Sequence, residues 1–398
     1  MAKDVYSLCS DGRGRQLDAE RCACGEDPWV LDEKADVQAL GLESRDGRLI
    51  SMAKKPRGIA MAAEKQHYVP QFILRQFLCN QAKEQVAVYD KHEDTSFVTS
   101  IKNIMAERRF NDFAIDDGLL SFEPIAGLIE SKVAPHYQRI VETRQLDRTD
   151  GERAALAVLV AFQFVRTKAH RELRKDFAEQ AKKTVEAMGA SMEQVEGWQP
   201  LTEDRLKEHH LIGIYDSLTE FAGLIGAKDF LLSSSARDRA FYLGDNPVCL
   251  HNSNDFGAYG NLGVAVPGIE IYLPLSADLM LCAWCPSILN GIRKNLADVK
   301  PQRAEALRRV IRREISGDTM REFMKELGAS EARLQARLDA FEEGTAPVSS
   351  LENMDFYNSL QMVFAHRYVI CPQADFELAR RHNKEFPNLR KGKKPKFD

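Results

Sequence analysis

Residues 268–284, GIEIYLPLSADLMLCAW, contain two short apolar runs separated by the turn-like sequence Ser-Ala-Asp. Runs of this length, rich in aliphatic and aromatic residues, are typical of buried strands. Residues 229–235 (DFLLSSS) and 240–251 (AFYLGDNPVCLH) have the same character and are punctuated by Gly, Asn and Pro. Together these runs predict four or five strands of a mostly antiparallel sheet over residues 228–286.

Helical patterns surround this sheet along the chain. The spacing of apolar residues predicts helices over 122–145, 151–186, 202–225, 287–297, 301–316, 318–327, 330–343 and 350–365. Residues 71–78 (QFILRQFL) favour a short buried helix led in by Pro70, residues 85–100 a hairpin, and residues 367–371 a last strand. We therefore predict an α+β fold, in which a helical subdomain packs on a mostly antiparallel sheet that also takes up the hairpin and the last strand.

The chain divides into an N-terminal segment, one composite domain and a basic tail. Residues 1–64 combine low hydrophobicity with Gly and charge, which predicts disorder or an extension upstream of the natural start at Met52 or Met61. The composite α+β domain covers 65–379, with a helix-rich part at 101–227, a sheet-rich part at 228–286 and a helical part at 287–365. The tail, 380–398, carries eight Lys or Arg residues. We interpret it as solvated rather than as a nucleic-acid arm, because it lacks interleaved aromatic residues.

Composition and charge exclude several classes of protein. The 398 residues are 44% hydrophobic and 29% charged, which is ordinary for a globular protein and excludes a collagen-like or wholly disordered chain. No apolar run approaches the ~20 residues of a membrane span, and an apolar export signal is missing. A net charge of −4 gives no overall attraction for nucleic acid. The eight thinly spread cysteines predict a reducing cytoplasm rather than a disulfide framework.

The common catalytic motifs are absent. The sequence contains no G-x-x-x-x-G-K-[ST], G-x-G-x-x-G, G-x-S-x-G or H-E-x-x-H. Cys282 and Cys285 form a lone C-x-x-C at a predicted strand end, and we interpret them as small buried apolar residues. His209 and His210 point about 100° apart on a helix, so we expect surface residues rather than a chelate. No spacing requires a metal, and the sequence names no cofactor.

Two polar residues lie at the start of the ordered part, in Gln66-His67-Tyr68-Val69-Pro70 and shortly after it. His67 immediately precedes a predicted helix start, where backbone N–H groups favour anions. Arg75 lies eight residues further on, beside a strongly apolar face, where a buried guanidinium needs a partner or a ligand. The structural alternative is a capping histidine and an arginine–carboxylate pair.

Further polar residues lie in three later segments. In AFQFVRT, Gln163 and Arg166 continue an apolar stripe of the predicted 151–186 helix, which predicts either a cleft or an interhelical hydrogen bond. Asp245, in GDNP, is either a carboxylate at a sheet end, able to orient a histidine, or part of an Asx-type turn. Asn358 is either a substrate-binding amide or an interhelical contact.

Five blocks occur in an order that resembles the widespread bacterial family called domain of unknown function 4238. They are HYVPQFILRQF (67–77), AFQFVRT (161–167), GDNPV (244–248), YLPLS (272–276) and YNSLQMVFAHRYV (357–369). The resemblance covers roughly residues 65–371. The family pattern maps onto His67, Tyr68, Pro70, Arg75, Gln163, Arg166, Asp245, Pro247, Pro274 and Asn358. It supports this choice of residues and implies no particular reaction.

Three hypotheses fit these residues. In the first, the chain is a hydrolase in which His67 is the acid or base and Asp245 orients it. Its phosphate-bearing substrate, a nucleotide or nucleic acid, is held by Arg75 and Arg166 and positioned by Gln163 and Asn358. In the second, the same cleft binds an anionic ligand without chemistry, in a defence or stress setting. In the third, the residues are scaffold and pair with one another.

Overall fold

The computed structural model describes residues 65–115, 118–195, 197–256 and 260–390. The predictions for residues 1–64 and for the end of the tail, 391–398, lie outside the described residues. The strands are β1 (Lys65–His67), β2 (Gln85–Asp90), β3 (Thr95–Ser100), β4 (Ala106–Arg108), β5 (Asp112–Ile115), β6 (Gly118–Ser121), β7 (Asp229–Ser234), β8 (Leu243–Gly244), β9 (Cys249–Asn252), β10 (Ile269–Ser276), β11 (Leu279–Trp284) and β12 (Tyr368–Ile370). The helices are α1 (Gln71–Leu74), α2 (Glu123–Thr143), α3 (Asp150–Val165), α4 (Lys168–Ala187), α5 (Glu203–Gly226), α6 (Pro286–Ile311), α7 (Gly317–Glu343), α8 (Leu351–Phe364) and α9 (Glu377–Glu385).

The central sheet has the strand order β7-β11-β10-β9, and every neighbouring pair is antiparallel. β10 and β11 are the two apolar runs of residues 268–284, and both are buried along their whole length. This confirms the predicted α+β fold with its antiparallel sheet. A strand buried on both faces needs helices on each side, which explains why the runs are continuously apolar rather than alternating.

Alternate residues of the central sheet pack into two different cores. Leu273 of β10 pairs with Leu281 of β11, and both lie in the main core with residues of α2, α3 and α5. Tyr272 and Cys282 face the opposite side, into a second core with residues of α6, α7 and α8. The sheet is therefore covered by one group of helices on each face.

A second four-stranded sheet, in the order β3-β2-β12-β8, holds the predicted hairpin and the predicted last strand. Both elements are confirmed, but we expected them to extend the first sheet. The difference arises at GDNPV. β8 belongs to the second sheet and β9 to the central one, so this turn carries the chain from one sheet to the other.

Three predicted helix boundaries are wrong. The helix expected over 151–186 is two helices, because the backbone is extended at Thr167 and the Thr167 hydroxyl caps α4 by accepting the N–H of His170 at 3.3 Å. Conversely, α6 continues through Pro301, and α7 joins the two helices predicted over 318–327 and 330–343. These runs fit helical spacing on either side of each junction, so local pattern alone does not locate the breaks.

The predicted boundary between domain and tail, at 379/380, falls inside α9. Asn383 of this helix is buried, and its amide donates to the carbonyl oxygen of Lys91 at 3.0 Å. The first part of the basic segment therefore belongs to the packed fold. Within the described ranges, no helix is both long enough and apolar enough to span a membrane.

One polar row interrupts the second core. Glu270 of β10 is the cross-strand neighbour of His251 on β9 and of Trp284 on β11. The Tyr272 hydroxyl donates to the buried Glu270 carboxyl, and the charge of Arg337, from α7, lies near it. Burial is the main cause that raises the pKa of Glu270 to about 7, because an ionised carboxylate is poorly solvated there.

This shift predicts a pH dependence of stability. A carboxyl whose native pKa is raised stabilises the folded state fully below its unfolded pKa, and the contribution is lost as pH rises through the native pKa. Relative to Glu270→Gln, the wild-type free energy of unfolding should fall by about 3 kcal/mol between about pH 4.5 and pH 8, since a shift from 4.5 to about 7 is worth that much.

Chemical denaturation of both proteins across this pH range measures the difference. Glu179→Gln, at an exposed position of α4, is the matched control, and its stability curve should run parallel to that of the wild type. A Glu270→Gln curve that is also parallel to the wild type would show that Glu270 is ionised normally in the folded protein.

Candidate functional site

The HYVP segment places His67 at the end of β1, half-buried. Its Nε2 lies 2.9 Å from the carbonyl oxygen of Ile101, and its Nδ1 lies 3.4 Å from the amide nitrogen of Gln71. Burial, aided by the positive charge of Arg166, lowers the pKa of His67. The ring is therefore neutral at pH 7, with both nitrogens facing protein groups.

The break between α3 and α4 places two predicted residues against the HYVP segment. The Gln163 amide donates to the carbonyl of Tyr68 at 3.0 Å, and the Arg166 guanidinium donates to the carbonyl of His67 at 2.8 Å. Arg166 also forms an ion pair with Glu130 of α2 at 2.6 Å. Both side chains thus bind the backbone at the end of β1 and just after it, and Arg166 also links the end of α3 to α2. The remaining oxygen of Gln163, Oε1, is buried without a described partner.

Asp245 lies buried at the GDNPV turn, where the two sheets meet. Its carboxylate accepts the backbone N–H groups of three consecutive residues, His366 at 2.7 Å, Arg367 at 2.9 Å and Tyr368 at 3.1 Å. Its own N–H donates to the Tyr368 carbonyl at 2.9 Å. Within the described part of the chain, the hydrogen bonds of Asp245 hold the start of β12, and none of them is made with His67.

Asn358 is likewise buried and bonded to backbone. On α8, its side chain accepts the N–H of Tyr242 at 2.8 Å and donates to the carbonyl of Ala240 at 3.0 Å. One turn further on, Gln361 accepts the N–H of Gly244 and donates to the carbonyl of Pro247. Sequence reasoning missed Gln361, although its spacing of three from Asn358 puts both on one helix face.

Arg75 lies on the surface, in contrast to the expected position of a guanidinium beside a buried apolar face. Its side chain is 47% exposed and pairs with Glu84 at 2.9 Å. The correction has a simple cause: α1 is only four residues long and passes directly into a 3₁₀ turn, so Ile73, Leu74 and Phe77 point inward while Arg75 points out.

The shared blocks therefore meet at one junction in the fold. The Thr167 hydroxyl, at the α3–α4 break, donates to the Asn246 side chain of the GDNPV turn at 2.8 Å. The buried Lys91 donates to the carbonyls of Met362 and Ala365 at the end of α8, and burial lowers its pKa to about 8. The polar groups at this junction are bonded mainly to protein backbone.

A second polar cluster lies where α4 packs on α5. His210, expected at the surface, is fully buried, because the turn of α5 that exposes His209 directs its neighbour inward. Its Nε2 lies 2.8 Å from the Val165 carbonyl, and its Nδ1 accepts Arg171 Nε at 3.1 Å. Burial lowers the pKa of His210 to about 2, so the ring is neutral and fixes Arg171 in place.

One helical turn beyond Arg171, the same helices form an open cleft of about 390 Å³, which we call the α4–α5 cleft. Its lining is mostly apolar and consists of His170, Leu173, Arg174, Phe177, Ala178, Leu201, Leu206 and His209. A cleft of this volume with apolar walls and few polar groups is typical of small-molecule sites. A smaller polar cavity, of about 110 Å³, lies between Arg239, Asn358 and Arg381.

Arg174 is the only Lys or Arg side chain in the described lining of the α4–α5 cleft. Among the described residues no carboxylate pairs with it, and its Nε is buried without a hydrogen-bond partner. Burial lowers the pKa of Arg174. Burial, together with the positive charge of Arg174, also lowers the pKa of His170 to about 4. Sequence reasoning missed this residue because an arginine on a polar helix gives no local sign that its partner is missing.

The described part of the chain offers no obvious metal site. It contains no group of three or more His, Cys, Asp or Glu side chains placed to hold an ion. The C-x-x-C pair, Cys282 and Cys285, is buried with both thiols free, one at the end of β11 and one at the start of α6.

A comparison with known protein families matches the part of the chain that contains the blocks meeting at the junction. A family model described as a protein of unknown function, DUF4238, matches residues 65–375. The chain belongs to the DUF4238 family. The match spans both sheets and both groups of helices, so the DUF4238 region includes the junction and the α4–α5 cleft. No curated protein matches the chain, and no solved structure matches it.

Loss of the Asp245 clamp should destabilise the fold. Asp245→Asn replaces one acceptor oxygen with an N–H₂ group that faces backbone N–H groups, so we expect the free energy of unfolding to fall by about 3 kcal/mol. Urea denaturation measures this change. Asp318→Asn, at an exposed position on α7, is the control and should change stability by less than about 0.5 kcal/mol. Equal stability of the two variants would contradict a stabilising role of the hydrogen bonds that the Asp245 carboxylate accepts.

Proposed function

We propose that this protein is a binding module for an anionic small molecule, and that Arg174 meets the ligand's charge in the α4–α5 cleft. The observation that carries the proposal is the unpaired guanidinium. Arginine stays protonated in proteins, so a positive charge lies partly removed from water with no described carboxylate beside it. Such a charge is costly unless a counter-charge meets it, and an anion from solution would supply one.

This proposal keeps the predicted class of ligand and moves its site. Arg75 and Arg166 were the expected anion-binding residues, but each already has a carboxylate partner, Glu84 and Glu130 respectively. Arg174, which lines the cleft, has no carboxylate partner in the part of the chain that the structure describes. A small anion fits better than nucleic acid, because a single cationic group in a mostly apolar cleft offers little to a polyanionic backbone.

Hydrolysis at His67 and Asp245 is the competing proposal, and the contacts favour it less. A general base needs a ring nitrogen within reach of substrate, whereas both His67 nitrogens face protein groups. An orienting carboxylate would face that ring, whereas the Asp245 carboxylate takes three backbone N–H groups. These contacts support a structural role, rather than catalysis, for His67 and Asp245 at the junction.

We also propose a cytoplasmic location. The support is the state of the described cysteines, since Cys79, Cys249, Cys282, Cys285 and Cys371 are all free thiols. Four of the five are buried, as is typical of structural cysteines in a reducing compartment.

The binding proposal predicts a stabilisation by ligand that depends on Arg174. We expect at least one anion, from a panel of inorganic phosphate, nucleotides, citrate and simple carboxylates, to raise the melting temperature of the wild type. An anion present at 100 times its Kd stabilises by about 2.7 kcal/mol, which is a shift of several degrees for a chain of this size. Thermal shift with the full chain measures it, and assay of the ligand afterwards should find it unconverted.

Arg174→Gln should remove the shift without unfolding the protein. Because Arg174 has no ion pair with any described residue, its replacement should leave the ligand-free melting temperature unchanged or slightly higher. Arg333→Gln, at an exposed position of α7, is the matched control and should keep the full shift. If no anion gives a shift that depends on Arg174, the proposal fails. If the ligand is hydrolysed, the protein is an enzyme.

A further inference from the structure

The walls of the α4–α5 cleft restrict the chemical class of its ligand. Leu173, Phe177 and Leu201 are 40%, 57% and 38% exposed, which is a large apolar exposure for neighbouring side chains. Leu206 and Ala178 complete the apolar lining. A ligand that covers these side chains gains free energy in proportion to the apolar area removed from water, so the favoured ligand has an apolar body.

The charge in the cleft restricts the ligand's polar end. Arg174 is a single positive charge, and His170 adds none, because burial and the neighbouring arginine lower its pKa to about 4. A nucleoside triphosphate or a sugar bisphosphate would leave several negative charges without partners against Leu and Phe side chains. One guanidinium balances one negative charge, so a monoanion is favoured.

The orientation of Arg174 favours a carboxylate in particular. Its guanidinium lies directly over Gly213 of α5, where a methyl group would overlap Nη2. Its Nε is buried and unpartnered. The two Nη groups of an arginine form a planar pair of donors that can face the two oxygens of a carboxylate. Glycine at position 213 thus leaves room for the guanidinium to pack against α5.

We infer that the α4–α5 cleft binds a monocarboxylate with an apolar body, that is, an aliphatic or aryl acid, with the carboxylate on Arg174 and the body against Leu173, Phe177 and Leu206. This inference rests on the proposed function and adds the class of ligand. The cleft volume of about 390 Å³ lies at the lower end of the range for small-molecule sites, which suits an acid of moderate size rather than a long lipid.

A series of straight-chain carboxylates tests the inference. Titration calorimetry on the full chain, with acids from butanoate to decanoate below their micelle concentrations, measures each Kd. We expect affinity to rise roughly three- to fourfold for each added CH₂ group until the cleft is filled. The matching uncharged alcohol, octanol against octanoate, should bind at least tenfold more weakly, because it leaves the guanidinium unpaired.

Variants separate the two ends of the site. Arg174→Gln should weaken octanoate binding at least tenfold, and Gly213→Ala should weaken it by displacing the guanidinium. Phe177→Ala should flatten the dependence on chain length while keeping the preference for octanoate over octanol. Phe97→Ala is the control, since Phe97 is 40% exposed on β3, outside the lining of the cleft.

The possible outcomes distinguish a failure of this inference from a failure of the proposed binding function on which it rests. Binding of inorganic phosphate or AMP that depends on Arg174, without any dependence on chain length, would overturn the inference and leave the binding function standing. Carboxylate binding that persists in Arg174→Gln is nonspecific adsorption and overturns the inference. The absence of any Arg174-dependent binding overturns both. Binding of an acidic peptide but of no free acid would assign the cleft to a protein partner instead.

Discussion

The carboxylate of Asp245 joins parts of the fold that lie more than a hundred residues apart in the chain. It lies on the turn between β8 and β9, where the polypeptide leaves one sheet and enters the other, and it accepts three consecutive N–H groups at the start of β12. A charged acceptor with three donors is among the stronger polar interactions in a protein interior. The relative position of the two sheets, and of α8 behind them, depends on it.

The other residues of the shared blocks extend this junction. Gln163 and Arg166 bind the backbone of the HYVP segment, and Asn358 and Gln361 bind the backbone that leads into the GDNPV turn. Irregular segments carry backbone groups that no strand or helix satisfies, so buried amides and guanidinium groups take that role. This accounts for polar side chains on otherwise apolar helices without a ligand at the junction.

The same junction sets up the cleft. Because α3 ends at Val165 and Thr167 caps a new helix, α4 leaves in its own direction and packs on α5 through Arg171 and the buried His210. Arg171 is satisfied by His210 and by the carbonyl of Phe110, whereas the Nε of Arg174, one turn later, meets no hydrogen-bond partner in the described structure. The unpaired cation is therefore a consequence of how the helix is anchored.

The sequence by itself determined the secondary structure of the apolar runs, the antiparallel sheet and the α+β class, because continuous apolar runs, helical spacing and turn residues are local properties that the chain carries wherever it packs. It also identified Gln163, Arg166, Asp245 and Asn358 as polar residues in unusual places. Only the tertiary structure decided what they bond to, where the helix over 151–186 breaks, and that Arg75 has a carboxylate partner while Arg174 has none among the described residues. A missing partner is a property of everything packed around a side chain, and residues far away in the sequence supply those surroundings.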